Sequence, residues 1–412
     1  MKNGAAIPAK NKFFLILMLG SLTALAPFSI DMYLPGFPAI AEDLHTTTAQ
    51  AALSLSSFLI GISAGQLLYG PLLDRFGRKT PLYFGLSLYI LATLGCVFTR
   101  SIDNLILYRF IQAIGCWAAS VASIAMVRDL FPVNENAKIF ALLMLVLGAS
   151  PMIAPTVGGY VTEAFGWQSV FIILIVIAVL ILIAVIFGLP EVYKGDPTLS
   201  LKPRPIIRNF LLVLKEPQFY TFAFTGAVAF AGLFAYVSGS PVVFMEILKV
   251  SGKVYGWIFA FLSVGFIGSS QVNTLLLRKF RSEQIINAAL ICQCLISLVF
   301  VFASLSGRLG LESVIAFIFL YLCCLGLINP NAAALSMAPF EKNAGSASAV
   351  MGATQMAMGA LASVGVSFFN DHTITPLASI MAISSVAALA ILFTGRKNIT
   401  VPSIATVPGG FH

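Results

Sequence analysis

The chain consists of twelve apolar segments separated by clusters of turn-forming and charged residues. A helix needs about 20 apolar residues to cross the hydrocarbon core of a bilayer, and these segments have that length. Only 10% of the residues are charged, whereas soluble proteins carry about 25%, so too few are available to cover a surface in water. The sequence therefore predicts an all-α membrane protein with twelve transmembrane helices. We place the spans near residues 13–34, 49–69, 81–98, 103–127, 138–162, 167–189, 217–246, 254–276, 284–305, 312–337, 344–369 and 374–395.

The longest polar interval divides the predicted spans into two sets of six. We predict an N-terminal six-helix half at 1–190, a cytoplasmic linker at 191–216, and a C-terminal six-helix half with a short cytoplasmic tail at 217–412. Transporters with this layout bind their substrate between the halves, near the midplane of the bilayer. The first apolar run has the basic flank of a signal peptide, but it continues through Asp31 to Pro35. We therefore expect an uncleaved first helix.

The positions of the cations predict the orientation. Of the 24 Lys and Arg residues, only Arg100, Lys249, Lys253 and Arg308 fall in one set of alternate loops, and Arg109 lies inside a span. The others lie in the opposite loops and the termini. Because cytoplasmic loops are enriched in Lys and Arg, both termini are predicted to be cytoplasmic. This distribution also explains the net charge of +8 without a nucleic-acid partner, and none is expected.

The loop between the second and third spans, residues 70–79, has the pattern G-x-L-x-D-R-x-G-R-K. Glycine permits a sharp backbone turn, although any cytoplasmic hairpin of a membrane protein can be basic and contain glycine. At every defined position the pattern resembles the loop signature of the major facilitator superfamily of secondary transporters. The resemblance implies the major facilitator fold and a conformational latch formed by Gly70, Asp74, Arg75, Gly77, Arg78, Lys79 and Asp129.

Within that family, the latch acid has an expected partner. The resemblance implies that Asp74 interacts with the start of the eleventh span near residues 345–346, where the helix dipole favours an anion. Arg75 or Arg78 is then expected to pair with Asp129. Such contacts would hold the cytoplasmic side shut while the transporter is open to the outside.

Two ionisable residues lie well inside predicted spans: Asp31 in the first and Arg109 in the fourth. A charge in a bilayer is costly unless it faces protein or water, so both are functional candidates. Burial and a nearby cation shift a carboxyl pKa in opposite directions, so such a pair can titrate near neutrality. Asp31 is the candidate proton carrier. Arg109 stays protonated and would set a field or bind an anion, with Gln112 one turn away. Alternatively, Asp31 caps a short helix at the water interface, and Arg109 holds the first-half bundle together by hydrogen bonds.

Three segments sharpen the resemblance. Residues 29–35 (SIDMYLP) resemble the first-helix signature of the bicyclomycin-resistance/chloramphenicol-florfenicol exporter group, which are bacterial twelve-span drug:proton antiporters. Residues 107–112 resemble the fourth-helix motif L-x-x-R-x-x-Q-G of that group, followed by Ala113 where glycine is usual. Residues 150–159 resemble the fifth-helix motif G-x-x-x-G-P-x-x-G-G, with serine and alanine at two glycine positions. In this chain the fifth-helix motif comprises Pro151, Pro155, Gly158 and Gly159.

The resemblance implies proton coupling through Asp31 and export rather than import, because the fifth-helix motif is associated with exporters. It also implies a bacterial inner-membrane protein, and we expect a monomer that needs no cofactor beyond the proton gradient. A cavity for amphipathic substrates should be mostly apolar with a few polar groups. Ordinary packing or lipid contact is the alternative for its methionine and aromatic residues. The candidates are Asp31, Arg109, Gln112, Met144, Leu147, Phe230, Phe234, Tyr236, Asn329, Asn331 and Gln355.

Other classes of protein lack their sequence signatures here. The chain has no GxxxxGK[ST] loop, which disfavours ATP-driven pumping. Its three histidines are not clustered with carboxylates, and its six cysteines have no metal-ligand spacing, so neither an enzyme nor a metal site is expected. We predict proton-coupled export of small amphipathic, drug-like compounds by alternating access. The alternatives are an uptake symporter of the same fold and an exporter of a physiological metabolite such as an amino acid or siderophore.

Overall fold

Inside a bilayer a backbone has no water to bond, so it must satisfy its N–H and C=O groups within a helix or a closed barrel. A computed structural model describes residues 9–190, 195–198, 201–307, 309–340, 343–369 and 372–399, without the side chains of 9–11, 133, 134, 137 and 398. In this part of the chain, twelve helices are long and apolar enough to cross a membrane. They confirm the predicted all-α membrane protein, and we number them span 1 to span 12.

The helices follow the apolar segments and extend beyond several of them. Span 1 comprises the helix Ala9–Asp31, a 3-10 turn at Leu34–Gly36 and the helix Phe37–Asp43. Spans 2 to 6 are Thr48–Phe76, Lys79–Phe98, Ile102–Leu130, Val133–Phe165 and Gln168–Gly188. Span 7 is the helix Pro217–Pro241, continued by a π-helical turn at Val242–Ile247. Spans 8 to 12 are Gly252–Leu276, Ser282–Leu305, Leu311–Met337, Ala344–Phe368 and Thr375–Gly395, and a 3-10 turn follows at Arg396–Asn398.

The interval 191–216 contains a helix that the sequence analysis did not predict. This linker helix, Pro203–Leu214, begins with proline, which is favoured there because the first N–H groups of a helix have no helical partner. Val213 is fully buried, whereas Ile207 and Leu211 are 52% and 53% exposed. The linker helix is therefore amphipathic. The polar, proline-rich sequence around it explains why the pattern of apolar segments does not predict it.

Prolines lie inside continuous helices at Pro27 in span 1, Pro71 in span 2, Pro151 and Pro155 in span 5, and Pro330 in span 10. Each removes one backbone hydrogen bond, which membrane helices tolerate where neighbouring groups satisfy the freed carbonyl. After Pro241 the backbone enters the π-helical turn of span 7. Such turns are frequent at functional sites.

Contacts divide the chain into two units. Unit 1 covers the residues up to Leu201 together with Val237–Ser263, and unit 2 covers Lys202–Tyr236 together with the residues from Val264 onward. The end of span 7 and the first half of span 8 thus pack with spans 1 to 6. The division into 1–190, 191–216 and 217–412 stays a prediction.

Glycines bring the spans of unit 1 into backbone contact. A Cβ added to Gly115 of span 4 would lie 2.6 Å from the carbonyl oxygen of Gly85 in span 3. One added to Gly61 of span 2 would lie 2.6 Å from the carbonyl oxygen of Phe110 in span 4. Small residues permit such close approach in lipid. Because Arg109 immediately precedes Phe110, this packing places Arg109 inside the helix bundle.

Unit 2 has its own core. A buried cluster joins the linker helix to spans 7 and 11 and consists of Val213, Phe219, Ala223, Ala347 and Val350. Spans 8 and 10 also approach closely, since a Cβ added to Gly326 would lie 2.2 Å from the carbonyl oxygen of Phe266.

Candidate functional site

Arg109 is enclosed by unit 1, with no exposed surface. Its Nη2 donates a hydrogen bond to the carbonyl oxygen of Ser29 at 2.8 Å, and its Nη1 donates to Gln112 Oε1. The guanidinium carbon lies 4.1 Å from the ring centroids of both Tyr33 and Phe58. Aromatic faces attract a cation at this distance. The charge is therefore held by two aromatic rings and two oxygen acceptors.

The hydrogen bonds of Arg109 continue into neighbouring spans. Gln112 Nε2 donates to Thr93 Oγ1 of span 3 at 2.8 Å. Ser29 Oγ of span 1 lies 2.7 Å from Tyr89 Oη of span 3. Spans 1, 3 and 4 are thus tied together by buried polar groups. This arrangement favours the alternative in which Arg109 stabilises the first-half bundle, and it leaves no guanidinium surface for a ligand.

Asp31 is the last residue of the first helix of span 1 and is 5% exposed. Among the described residues it forms no ion pair and no side-chain hydrogen bond, and it is not paired with Arg109. An acid that capped a helix in water would be exposed, so the burial of Asp31 disfavours that alternative.

Two other acids near the ends of spans in unit 1 have partners. Glu246, in the π-helical turn, accepts a hydrogen bond from Thr48 Oγ1. Glu163 forms a 3.2 Å ion pair with Lys253. Asp31 differs from both because no described cation or donor satisfies its carboxyl group.

The fifth-helix motif makes close contacts on two sides. A Cβ added to Gly158 would lie 1.8 Å from the carbonyl oxygen of Met32 in span 1, and one added to Gly159 would lie 2.4 Å from that of Gly252 in span 8. Thr156 Oγ1 also donates to the carbonyl oxygen of Gly256 at 3.2 Å. The glycines of the motif thus let span 5 touch the backbones of both neighbours.

The predicted loop at residues 70–79 is much shorter in the structure, because span 2 continues to Phe76 and span 3 begins at Lys79. In the turn between them, Arg78 connects the two latch acids. Its Nε donates to Asp129 Oδ2 at 2.7 Å, and its Nη1 donates to Asp74 Oδ1 at 3.1 Å. Partial burial lowers the pKa of Arg78, but the hydrogen bonds and charges of the two carboxylates outweigh it and the net shift is upward. Arg78, of the two candidate arginines, makes the ion pair with Asp129. Gly77 adopts a φ of +79°, a conformation that glycine accepts without strain.

The remaining latch residues are placed as follows. The ring of Phe76 lies 5.7 Å from the Arg75 guanidinium. The backbone N–H of Asp196 donates to the carbonyl oxygen of Asp74 at 2.9 Å, so part of the linker packs against the loop. A Cβ on Gly70 would meet open space, and Lys79 begins span 3. The expected contact of Asp74 with residues 345–346 stays a prediction.

The cavity candidates of unit 2 form two polar pairs and an aromatic group. Gln355 Nε2 donates to Asn329 Oδ1 at 3.0 Å, joining spans 11 and 10. Asn331 Nδ2 donates to Asn273 Oδ1 of span 8 at 2.7 Å. Asn273 was missed by the sequence analysis, although a carboxamide in an apolar span is a detectable signal.

The aromatic candidates Phe230 and Phe234 contact each other edge to face, with ring centroids 5.6 Å apart. Phe234 also packs on Gly359, where an added Cβ would lie 2.3 Å from its ring, and Tyr236 is 2% exposed. In unit 1, Met144 is 52% exposed and Leu147 is partly exposed. These candidates stay predictions, as does their joint role in one cavity.

Comparison with known proteins identifies the family. Residues 19–363 match the sequence profile of the Major Facilitator Superfamily. The chain belongs to this superfamily. The superfamily consists of membrane transporters of small molecules, so the chain is a multi-pass membrane transporter and not an enzyme.

Two relatives of this superfamily member have names that describe resistance. It is 31% identical over 391 residues to the bicyclomycin resistance protein homolog of Haemophilus influenzae, covering 95% of this chain and 98% of that protein. It is 28% identical over 380 residues to multidrug resistance protein MdtL of Escherichia coli O127:H6, covering 90% of this chain and 93% of that protein. These similarities agree with the exporter group that the motifs resemble.

Solved structures confirm the major facilitator fold. The D-xylose-proton symporter aligns with a TM-score of 0.74 at 15% identity, covering 92% of this chain and 97% of that one. A bacterial homolog of the human lysosomal transporter Spinster aligns with a TM-score of 0.72 at 13% identity, covering 97% and 98%. At such identities the likeness concerns the fold alone.

Proposed function

We propose that this transporter exports small amphipathic, drug-like compounds in exchange for protons, by alternating access. The proposal rests on Asp31, which is 5% exposed and satisfied by no ion pair or side-chain hydrogen bond in the described part of the chain. A buried, unpaired charge is energetically costly. Either a proton or a polar group of the substrate removes that cost, so the two compete for one side chain. Such competition is what exchange requires.

Similarity to relatives with resistance names supports export as the direction of transport. Relatives at 31% and 28% identity are named a bicyclomycin resistance protein homolog and a multidrug resistance protein. Resistance through a membrane transporter requires that the compound leave the cell. The close contacts of Gly158 and Gly159 fit the exporter-associated motif of span 5.

Arg109 supports the proton site without exchanging protons itself, because a guanidinium stays charged in proteins. It binds the carbonyl oxygen of Ser29, two residues before Asp31. The rings of Tyr33 and Phe58 fix its plane. Arg109 therefore fixes the backbone that carries the acid.

Conformational exchange uses the latch around the turn between spans 2 and 3. Arg78 holds the carboxylates of Asp74 and Asp129 together. The contact with Asp74, whose side chain is 57% exposed, contributes roughly 0.2–1 kcal/mol. Contributions of this size change a near-balanced equilibrium between two conformations several-fold.

The transporter acts as a monomer in a bacterial inner membrane, with both termini in the cytoplasm as its cation distribution indicates. The proton gradient drives it, and no cofactor is required. Unit 2 supplies the aromatic surface of Phe230 and Phe234 and the carboxamides of Asn329 and Gln355 for substrate binding.

The test is substrate-induced proton release from the purified protein across a panel of compounds, paired with export in vesicles. Wild-type protein should release protons on binding and bind more weakly as the pH falls. Asp31→Asn is nearly isosteric but cannot titrate, so it should retain some binding, lose both pH effects and fail to export against a gradient. Asp103→Asn, at the exposed start of span 4, is the matched control and should behave like the wild type.

Three outcomes would contradict the proposal. If Asp31→Asn still exports against a gradient, coupling lies elsewhere, and Glu246 becomes the next acid to test. If wild-type vesicles accumulate compound with the proton gradient instead of expelling it, the protein is an uptake symporter. Selectivity for an amino acid or siderophore over drug-like compounds would identify a metabolite exporter.

A further inference from the structure

The linker helix has a surface that the described protein does not cover. Ile207 and Leu211 are 52% and 53% exposed, and their spacing of four residues puts them on one stripe of the helix. Arg204 and Arg208, also four residues apart, occupy an adjoining stripe with Lys215, and all three are exposed. An apolar stripe thus runs beside a cationic stripe.

The position of the linker helix indicates what covers this surface. Its buried residue Val213 packs with Ala347 and Val350 of span 11. These two residues lie about 4.5 and 9 Å along span 11 from its first residue, Ala344, at 1.5 Å per residue. The linker helix therefore lies beside the N-terminal end of span 11.

The charges on the exposed side are of one sign. The sequence from Lys202 to Lys215 contains no acidic residue. Among the described residues, Arg204, Arg208 and Lys215 form no ion pair. Helices with an apolar stripe and cations on the adjoining face bind in the plane of the membrane interface and favour anionic lipids.

We propose that the linker helix lies in the membrane interface, with Ile207 and Leu211 among the acyl chains. Arg204, Arg208 and Lys215 bind the phosphate groups of anionic phospholipids. The apolar stripe and the span end fix the depth of the helix, and the cations select the lipid. This surface is separate from Asp31 and Arg109, and the inference does not depend on the direction or coupling of transport.

The test places a reporter on the apolar stripe of the full-length protein. Leu211→Trp is reconstituted into vesicles that contain brominated phosphatidylglycerol or brominated phosphatidylcholine, with the native tryptophans measured in the parent protein. Both lipids should quench the added tryptophan, and phosphatidylglycerol should associate more strongly. Adding Arg204→Gln and Arg208→Gln should reduce that preference by up to about 30-fold, because each cation near an anionic surface contributes a factor of about five.

Arg278→Gln with Lys279→Gln is the matched control, since it removes the same charge from the loop between spans 8 and 9 of the same unit. The control should keep the preference for phosphatidylglycerol at position 211. Equal losses in the two double variants would show a general charge effect and overturn the proposal. Absence of quenching by either lipid would also overturn it, because the stripe would then be covered by something other than the bilayer.

Discussion

The contact between spans 5 and 1 at Gly158 gives a prediction whose size follows from the structure. In Gly158→Ala the new Cβ would lie 1.8 Å from the carbonyl oxygen, 2.8 Å from the carbonyl carbon and 3.2 Å from the Cα of Met32. Real Cβ atoms essentially never come within 3.0 Å of another heavy atom. Because the obstructing atoms belong to the backbone, no side-chain rotation relieves the clash and one helix must move.

Overpacking of this kind destabilises a protein by about 1–3 kcal/mol, occasionally more. Replacing a helical glycine by alanine also stabilises the helix, by up to about 1 kcal/mol. That gain must be separated from the clash. Gly268 of span 8 supplies the control, because a Cβ there would meet nothing within 4 Å. Gly268→Ala should therefore be as stable as the wild type or slightly more stable.

The assay compares unfolding of the two purified variants in one detergent and their transport rates at equal amounts in the membrane. Gly158→Ala should be less stable than Gly268→Ala by the full cost of the clash. Since Met32 directly follows Asp31, the displaced segment carries the proposed proton site, and transport should also fall. Equal stability and equal transport in the two variants would refute the close packing of spans 1 and 5.

Two further predictions concern the latch and the orientation. Arg78→Gln removes the cation between Asp74 and Asp129 and should slow transport several-fold with the protein still in the membrane. Lys79→Gln removes an equal charge and should slow transport less. Equal transport rates in the two variants would contradict the bridge seen at Arg78. Reporter fusions in the interval 191–216 and at the C-terminus should both report cytoplasm, and a periplasmic signal at either would overturn the twelve-span topology.

Sequence alone predicts the number and type of the elements, because lipid leaves a long apolar segment few alternatives to a helix. It predicts less well the residues at which the helices begin and end. The apolar pattern predicts span 5 at 138–162, and the helix occupies Val133–Phe165, since a helix continues past the bilayer wherever its residues permit. The linker helix was missed because the signal in a short amphipathic helix is periodicity rather than overall hydrophobicity.

The sequence predicts which residues form the candidate site better than it predicts the contacts between them. Scarcity of charge in the spans singles out Asp31 and Arg109, and the i, i+3 spacing brings Gln112 to Arg109. The enclosing rings of Tyr33 and Phe58 could not be predicted, because nothing distinguishes an aromatic residue that faces a buried cation from one that faces lipid. Their faces, the Ser29 carbonyl and Gln112 Oε1 hold the guanidinium without a carboxylate, although its Nε has no partner among the described residues.

Asp31 and Arg109 form no ion pair in the described part of the chain, so we expect their effects on the free energy of unfolding to be independent. Removing one partner of a buried ion pair typically costs about 3–5 kcal/mol, because the other charge is left buried and unpaired. When both partners are changed, this cost is not added a second time, and the difference from the sum of the single changes is the coupling energy. Here Arg109→Lys should destabilise the protein through loss of the planar fork, and Arg109→Ala should do so more strongly. Asp31→Asn should change stability little, and its effect should be nearly the same in the Arg109→Ala background, where the cation is gone. The measurement is a double-mutant cycle on the free energy of unfolding of the purified protein. A coupling energy of about 3 kcal/mol would show a buried pair and remove the reason for assigning proton exchange to an acid without a counter-charge.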